Sequence, residues 1–151
     1  MRFIITAQPG EHGSLPQADA PFDEKLFTDY MRFNEEMHKA GVLVASEGLN
    51  PRGQGARIEA KKGKRVVVDG PFTESKELVG GFYILEVPTL DDAIAWALRC
   101  PTGLGFDDVL EIRALTGEDD VPPHMLELVR KAAPTWSATF STSTRRSETG
   151  S

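Results

Sequence analysis

The sequence predicts an α+β fold: a split βαβ sheet with its helices on one face and a β-hairpin inserted midway. Three observations carry this expectation. Strand-length apolar runs recur, as in Phe3-Ile4-Ile5 and Phe82-Tyr83-Ile84-Leu85. Two longer segments, at about 23–40 and 90–99, carry apolar residues at the three- and four-residue spacings of amphipathic helices. The order of these pieces is β-α-β, hairpin, β-α-β.

Residues 2–8 read as a buried strand. The connection that follows, Pro9 to Pro21, holds Gly10, Gly13, Pro16 and His12. It is long for a small domain, and long loops are where binding residues concentrate. His12 reads as an exposed, idle histidine or as a substrate-binding one. A helix from about Asp23 to Ala40 places Leu26, Tyr30, Phe33 and Met37 on one face, with Phe27 and Met31 widening it. Asp23 and Glu24 suit the positive end of the helix dipole, and Gly41 suits its C-terminal stop. Val42-Leu43-Val44-Ala45 makes the next strand, ending in Ser46-Glu47-Gly48-Leu49-Asn50-Pro51.

Ala56–Ala60 and Lys64–Asp69 flank Lys61-Lys62-Gly63 as a hairpin. Its basic tip, with Arg65, reads as a solvated surface. A strand over 80–87 follows. Thr89 with Asp92 three residues on matches the capping-box pattern and opens a helix over 90–99, with Leu90, Ile94, Ala97 and Leu98 on one face. Residues 107–115 alternate as a half-buried last strand. Crossovers of the βαβ kind are right-handed. Two in this order predict a ferredoxin-like sheet with both helices on one face, leaving the other face in need of cover. Domain organisation follows: residues 1–116 form the main domain and 117–136 a helical extension. The Ser- and Thr-rich end, 137–151, reads as a mobile tail.

Composition narrows the function. The chain has 151 residues, 40% hydrophobic and 26% charged, with a formal net charge of −6. That acidity argues against sequence-independent nucleic-acid binding, which relies on phosphate neutralisation by Lys and Arg. The single Cys100 excludes an intrachain disulfide and fits a reducing compartment; beside Pro101 it reads as a packed, inert thiol. The N-terminal apolar run is too short for a signal peptide and no window spans a membrane, so a cytoplasmic protein is expected. His12, His38 and His124 stand in three different elements without ligand spacing, and no dinucleotide or P-loop fingerprint is present. No metal or cofactor is therefore expected.

What remains is acid–base chemistry. Glu47 and Asp69 each end a strand at a glycine, where a carboxylate can face a cleft mouth. They are the candidate catalytic pair, expected to share a cavity beside the loop 9–21. Phe72 and Tyr83 would form an apolar wall that raises a nearby carboxylate's pKa. Glu74 and Lys76 read either as groups orienting an anionic or carbonyl substrate or as a solvated salt bridge. Asp69 has its own alternative, an Asx-type turn whose oxygens are consumed by backbone N–H groups.

The stretch Asp69-Gly70-Pro71-Phe72-x-Glu74-x-Lys76-Glu77 resembles the signature of the DGPF branch of the YCII-related (YciI-like) family. Glu47-Gly48-Leu49 with Pro51, Gly81-Phe82-Tyr83, and Trp96 to Pro101 with Glu111-Ile112-Arg113 resemble it too. The resemblance covers roughly residues 1–116. It implies a ferredoxin-like fold that dimerises sheet to sheet into an α/β barrel, which would supply the missing cover. Many such proteins are linked in genomes to extracytoplasmic-function sigma factors. Better-understood relatives, among them a dehydrochlorinase of chlorinated hydroxyquinols, carry a His-Asp pair with the His near the start of the first helix. This chain has Asp23-Glu24-Lys25 there and His38 only at the helix's far end. Two functions follow as expectations. One is a cofactor-independent lyase, isomerase or dehalogenase acting on a small aromatic or lactone-like molecule. The other is a non-enzymatic module that binds a small ligand or a partner such as a sigma factor.

Overall fold

A computed structural model describes residues 1–10, 21, 23–50, 55–69, 79–101 and 108–139. The chain divides into two compact units, Met1–Leu115 and Thr116–Ser151. In the first, β1 (Arg2–Pro9), α1 (Glu24–Lys39), β2 (Leu43–Gly48), the hairpin β3 (Ala56–Lys61) and β4 (Lys64–Asp69), β5 (Gly81–Glu86), α2 (Leu90–Ala97) and β6 (Asp108–Ala114) follow in order. The main sheet has four strands in the order β2-β5-β1-β6, and β3-β4 form a separate two-stranded sheet. Every pairing is antiparallel. Strands β1 and β2 are therefore parallel to each other with β5 between them, and β5 and β6 with β1 between them. That is the split βαβ arrangement of a ferredoxin-like α+β fold.

Local chemistry explains the boundaries. Asp23 caps α1 by accepting the Leu26 backbone N–H at 3.0 Å. Thr89 and Asp92 complete a reciprocal capping box at α2: the Thr89 hydroxyl accepts the Asp92 N–H, and the Asp92 carboxylate accepts the Thr89 N–H. Lys62 and Gly63 both sit at positive φ, 49° and 76°, which closes the β3–β4 hairpin with a two-residue turn matched to strand twist. Strand β2 runs further than its apolar run, to Gly48, because β5 supplies pairing partners as far as Gly81.

Alternation along the strands separates two faces. Phe3 and Ile5 of β1, with Tyr83 and Leu85 of β5 and Val87 just beyond it, are buried beneath Phe33 and Met37 of α1 and Ala93 and Ala97 of α2. Leu110 and Ile112 of β6 pack at the margin. Two expectations are corrected here. Phe27 and Met31 do not extend the buried stripe of α1; they are 55% and 44% exposed. In α2 the buried face is Ala93 and Ala97 with half-buried Trp96, while Leu90, Ile94 and Leu98 are exposed. The small alanines let the helix lie close to the sheet, so burial follows the close approach and not the largest side chains. The helix-free face presents Ile4, Thr6, Ala45, Phe82, Ile84 and Val109, with Arg2, Glu47, Glu86, Glu111 and Arg113 among them.

The second unit holds a 3-10 turn (Glu118–Asp120), α3 (Pro123–Ala132) and α4 (Pro134–Ser137). Proline at the first position of each helix fits the fixed φ needed there. The segment expected as a tail begins at the last residue of α4, and residues 140–151 lie outside the described residues.

Candidate functional site

The residues singled out from sequence fall in different places. His12, Phe72, Glu74 and Lys76 lie outside the described residues. Asp69 closes β4 opposite Ala56, in the two-stranded sheet. Glu47 stands in β2 of the main sheet, exposed, with Phe82 as its cross-strand partner. Among the described residues its carboxylate has no hydrogen-bond or ion-pair partner. Tyr83 is one residue on from Phe82, so it points to the opposite face. The neighbouring register agrees: Ser46 pairs with Tyr83, and its hydroxyl bonds Asn34 of α1 at 3.3 Å. Tyr83 and Glu47 therefore do not line one wall.

On the helix-covered side, Tyr83 belongs to a different cluster. Tyr30 stands on α1 one turn before Phe33, half-buried against the core. Cys100 follows α2, whose last turn tightens through N–H bonds from Arg99 to Trp96 and from Cys100 to Ala97, both 3.0 Å. Pro101 disfavours helix at the residue before it, so the chain turns away there. Asp108 opens β6 opposite Pro9 of β1. Aromatic packing frames the group. Phe33 meets Tyr83 edge-on at 5.8 Å between ring centroids and Trp96 at 6.2 Å. The Arg99 guanidinium lies 4.7 Å over the Trp96 ring and pairs with Glu36, tying α2 to α1.

Burial, with smaller contributions from neighbouring charges, raises the pKa of Tyr30, Tyr83 and Cys100. Burial pushes the Tyr30 hydroxyl up to about 12, with the Cys100 and Asp108 charges adding to the shift. Tyr83 is raised further still, first by burial, then by the charges of Cys100 and Tyr30 and a hydrogen bond with Cys100. The Cys100 thiol is raised to about 11 by burial; the hydrogen bond from Tyr83 opposes this and Asp108 reinforces it. The thiol in turn faces the Pro101 carbonyl at 3.5 Å. At neutral pH Tyr30, Tyr83 and Cys100 are thus two phenols and a thiol, all neutral donors, with the Asp108 charge acting on Tyr30 and Cys100. Neutral donors can hold a carbonyl or enolate oxygen while a carboxylate accepts a proton.

The sequence reads Tyr30 as helix core, Cys100 as a packed, inert thiol and Asp108 as part of an alternating, half-buried strand. The available signal was chemical. A tyrosine at a core position brings a hydroxyl that must find a partner. Two such tyrosines, in α1 and β5, predict a polar cluster wherever the helix crosses the strand. Among the described residues no group of three His, Cys, Asp or Glu is placed to hold a metal ion. No described helix is long and apolar enough to cross a membrane.

Comparison with known proteins adds two findings. The model of the YCII-related domain matches residues 1–116. An uncharacterized protein of Rhizobium meliloti (strain 1021) is 33% identical over 75 residues, 50% of this chain and 60% of that protein. The chain thus spans about three-fifths of the length of this curated relative.

Proposed function

Starting from a chain that belongs to the YCII-related domain family, we propose that it is a cofactor-independent acid–base enzyme acting on a small carbonyl compound. One observation carries the reading: buried Tyr83 and half-buried Tyr30 and Cys100 gather on the helix-covered side, with Tyr83 bonded to Cys100, and the Asp108 charge acts on Tyr30 and Cys100. Asp108 removes a proton from the carbon next to a carbonyl. Tyr30 and the Tyr83–Cys100 pair donate to the oxygen on which the resulting charge gathers. Return of the proton to a different atom gives an isomerisation. Departure of a β-substituent with its electron pair, as the new C=C bond forms, gives an elimination of the lyase or dehalogenase kind. Phe33 and Trp96 favour an aromatic or lactone-like skeleton. This reading moves proton transfer from Glu47 and Asp69 to Asp108, because the Asp108 charge acts on Tyr30 and Cys100.

The working unit is a homodimer. The helix-free face, with Ile4, Phe82 and Ile84 at its centre, gains cover when two copies meet through it. A thiol maintained on Cys100 suits a reducing compartment such as the cytoplasm.

The experiment is deuterium exchange at the α-carbon of aromatic ketones and lactones in D2O, followed by NMR. Wild-type protein is expected to speed exchange, Asp108→Asn to abolish the effect, and Tyr30→Phe to lower it by about 100-fold. Wild-type rates equal to buffer across the panel, or full activity in Asp108→Asn, overturn the proposal. A second reading, a non-enzymatic module binding a partner such as a sigma factor, has one observation in its favour. In the second unit Met125, Leu128 and Trp136 are 43%, 53% and 61% exposed along consecutive helices, as in helices that dock into a groove.

A further inference from the structure

Among the described residues the β3–β4 hairpin is a two-stranded ribbon that shares no hydrogen-bonded ladder with the main sheet. A lone ribbon of this kind is marginal in water unless a face is covered. Its cross-strand pairs alternate between faces: Ala56/Asp69, Ile58/Val67 and Ala60/Arg65 on one, Arg57/Val68, Glu59/Val66 and Lys61/Lys64 on the other. The second face is partly covered, since Glu59 and Val68 are half-buried. The first is bare, with Ile58 59% and Val67 62% exposed. The residues 56–69 also gather five Lys and Arg against two Asp and Glu, in a chain of net charge −6. Among the described residues Lys62, Lys64 and Arg65 have no ion-pair partner.

A complementary surface exists on the same molecule. The helix-free face of the main sheet has an apolar centre at Ile4, Phe82 and Ile84, and carries Glu47, Glu86 and Glu111 against Arg2 and Arg113. One chain thus supplies both an apolar strip edged with cations and an apolar surface whose charged rim is net acidic. A two-fold axis would apply that contact twice and close the assembly.

We infer that the hairpin is an arm that lays Ile58 and Val67 on the helix-free sheet face of a second copy, beside the contact between the two sheets, its cations meeting that copy's acidic residues. The inference rests on the homodimer proposed above and adds the hairpin as the element that holds it together. Attraction across such an interface weakens as salt rises.

Sedimentation equilibrium of the full chain across micromolar concentrations, at low and high salt, tests it. Wild-type protein is expected to be a dimer that loosens with salt. The double variant Ile58→Asp/Val67→Asp should bind its partner at least about tenfold more weakly, with the main-sheet circular dichroism unchanged. Arg65→Glu and Glu111→Lys should each weaken the dimer, and the two combined should recover part of the loss, which a merely unfolded arm would not do. A variant lacking Ile58 and Val67 that dimerises as tightly as wild type overturns the arm and leaves the sheet-face dimer standing. Failure of the combined charge variant to recover overturns the arm as well. A wild-type monomer at every concentration overturns both.

Discussion

Gly48 and Gly81 face one another across β2 and β5, and alanine at each should have opposite consequences. A Cβ added at Gly81 would sit 2.9 Å from the Glu47 carbonyl oxygen and 3.4 Å from the Gly48 Cα, whereas one added at Gly48 meets nothing within 4 Å. Neither glycine needs a positive φ, unlike Gly41 and Gly63. Both substitutions therefore remove the same backbone freedom from the unfolded chain, a gain of about 0.4–1 kcal/mol in each. Only Gly81→Ala also forces backbone against backbone, and no rotamer can relieve that contact. Overpacking of this kind costs about 1–3 kcal/mol. The entropy gain cancels in the comparison, so the two variants should differ by about 1–3 kcal/mol, with Gly48→Ala the more stable. For a chain of this size that corresponds to a gap of about 2–12 °C in melting temperature. Thermal unfolding followed by circular dichroism, with urea midpoints as a check, measures it. Equal melting temperatures, or a more stable Gly81→Ala, would refute the close approach of β2 to β5 at this pair.

Three further outcomes follow. With its thiol pushed to about 11, roughly one Cys100 in a thousand is ionised at pH 8, so alkylation of the folded protein should be slow; Asp108→Asn removes a charge that raises the thiol and should speed the reaction. Cys100 and Tyr30 both hold their protons more tightly when folded, so their contribution to stability is complete below their unfolded values and is lost as pH climbs through about 11 and 12; urea midpoints should fall over that alkaline range, and less steeply in a Tyr30→Phe/Cys100→Ser variant. Leu85→Ala, at a residue with no exposure between Phe3 and Leu43 on the neighbouring strands, should cost about 2–5 kcal/mol by denaturant titration, and a cost under about 1 kcal/mol would place the core elsewhere.

Much of the fold was legible because its signals are local. The spacing of Tyr30, Phe33 and Met37, the Thr89–Asp92 capping box and the Lys62-Gly63 turn each act within a few residues, and each specifies its element before any long-range contact forms. Burial on α2 was not legible. Leu90, Ile94 and Leu98 form as regular a stripe as Ala93, Ala97 and Trp96, and periodicity alone cannot say which stripe meets the sheet. The choice fell to the stripe that allows the closer approach.

The candidate site divides in the same way. The sequence by itself determined that strands, helices and hairpin come in the order of a split βαβ domain, and that Glu47 and Asp69 would end strands. It also placed tyrosines in the middle of a helix and a strand. Only the tertiary structure decided which of these groups meet. Strand alternation put Tyr83 and Glu47 on opposite faces, and the sheet order put β6 beside β1, so that the Asp108 charge acts on Tyr30 of α1, far away in the chain. The physical reason is one of range. Propensity, capping and turn geometry are fixed by neighbours in sequence, whereas the raised pKa values of Tyr30, Tyr83 and Cys100 come from burial and from charges that only the packed sheet and helices bring near.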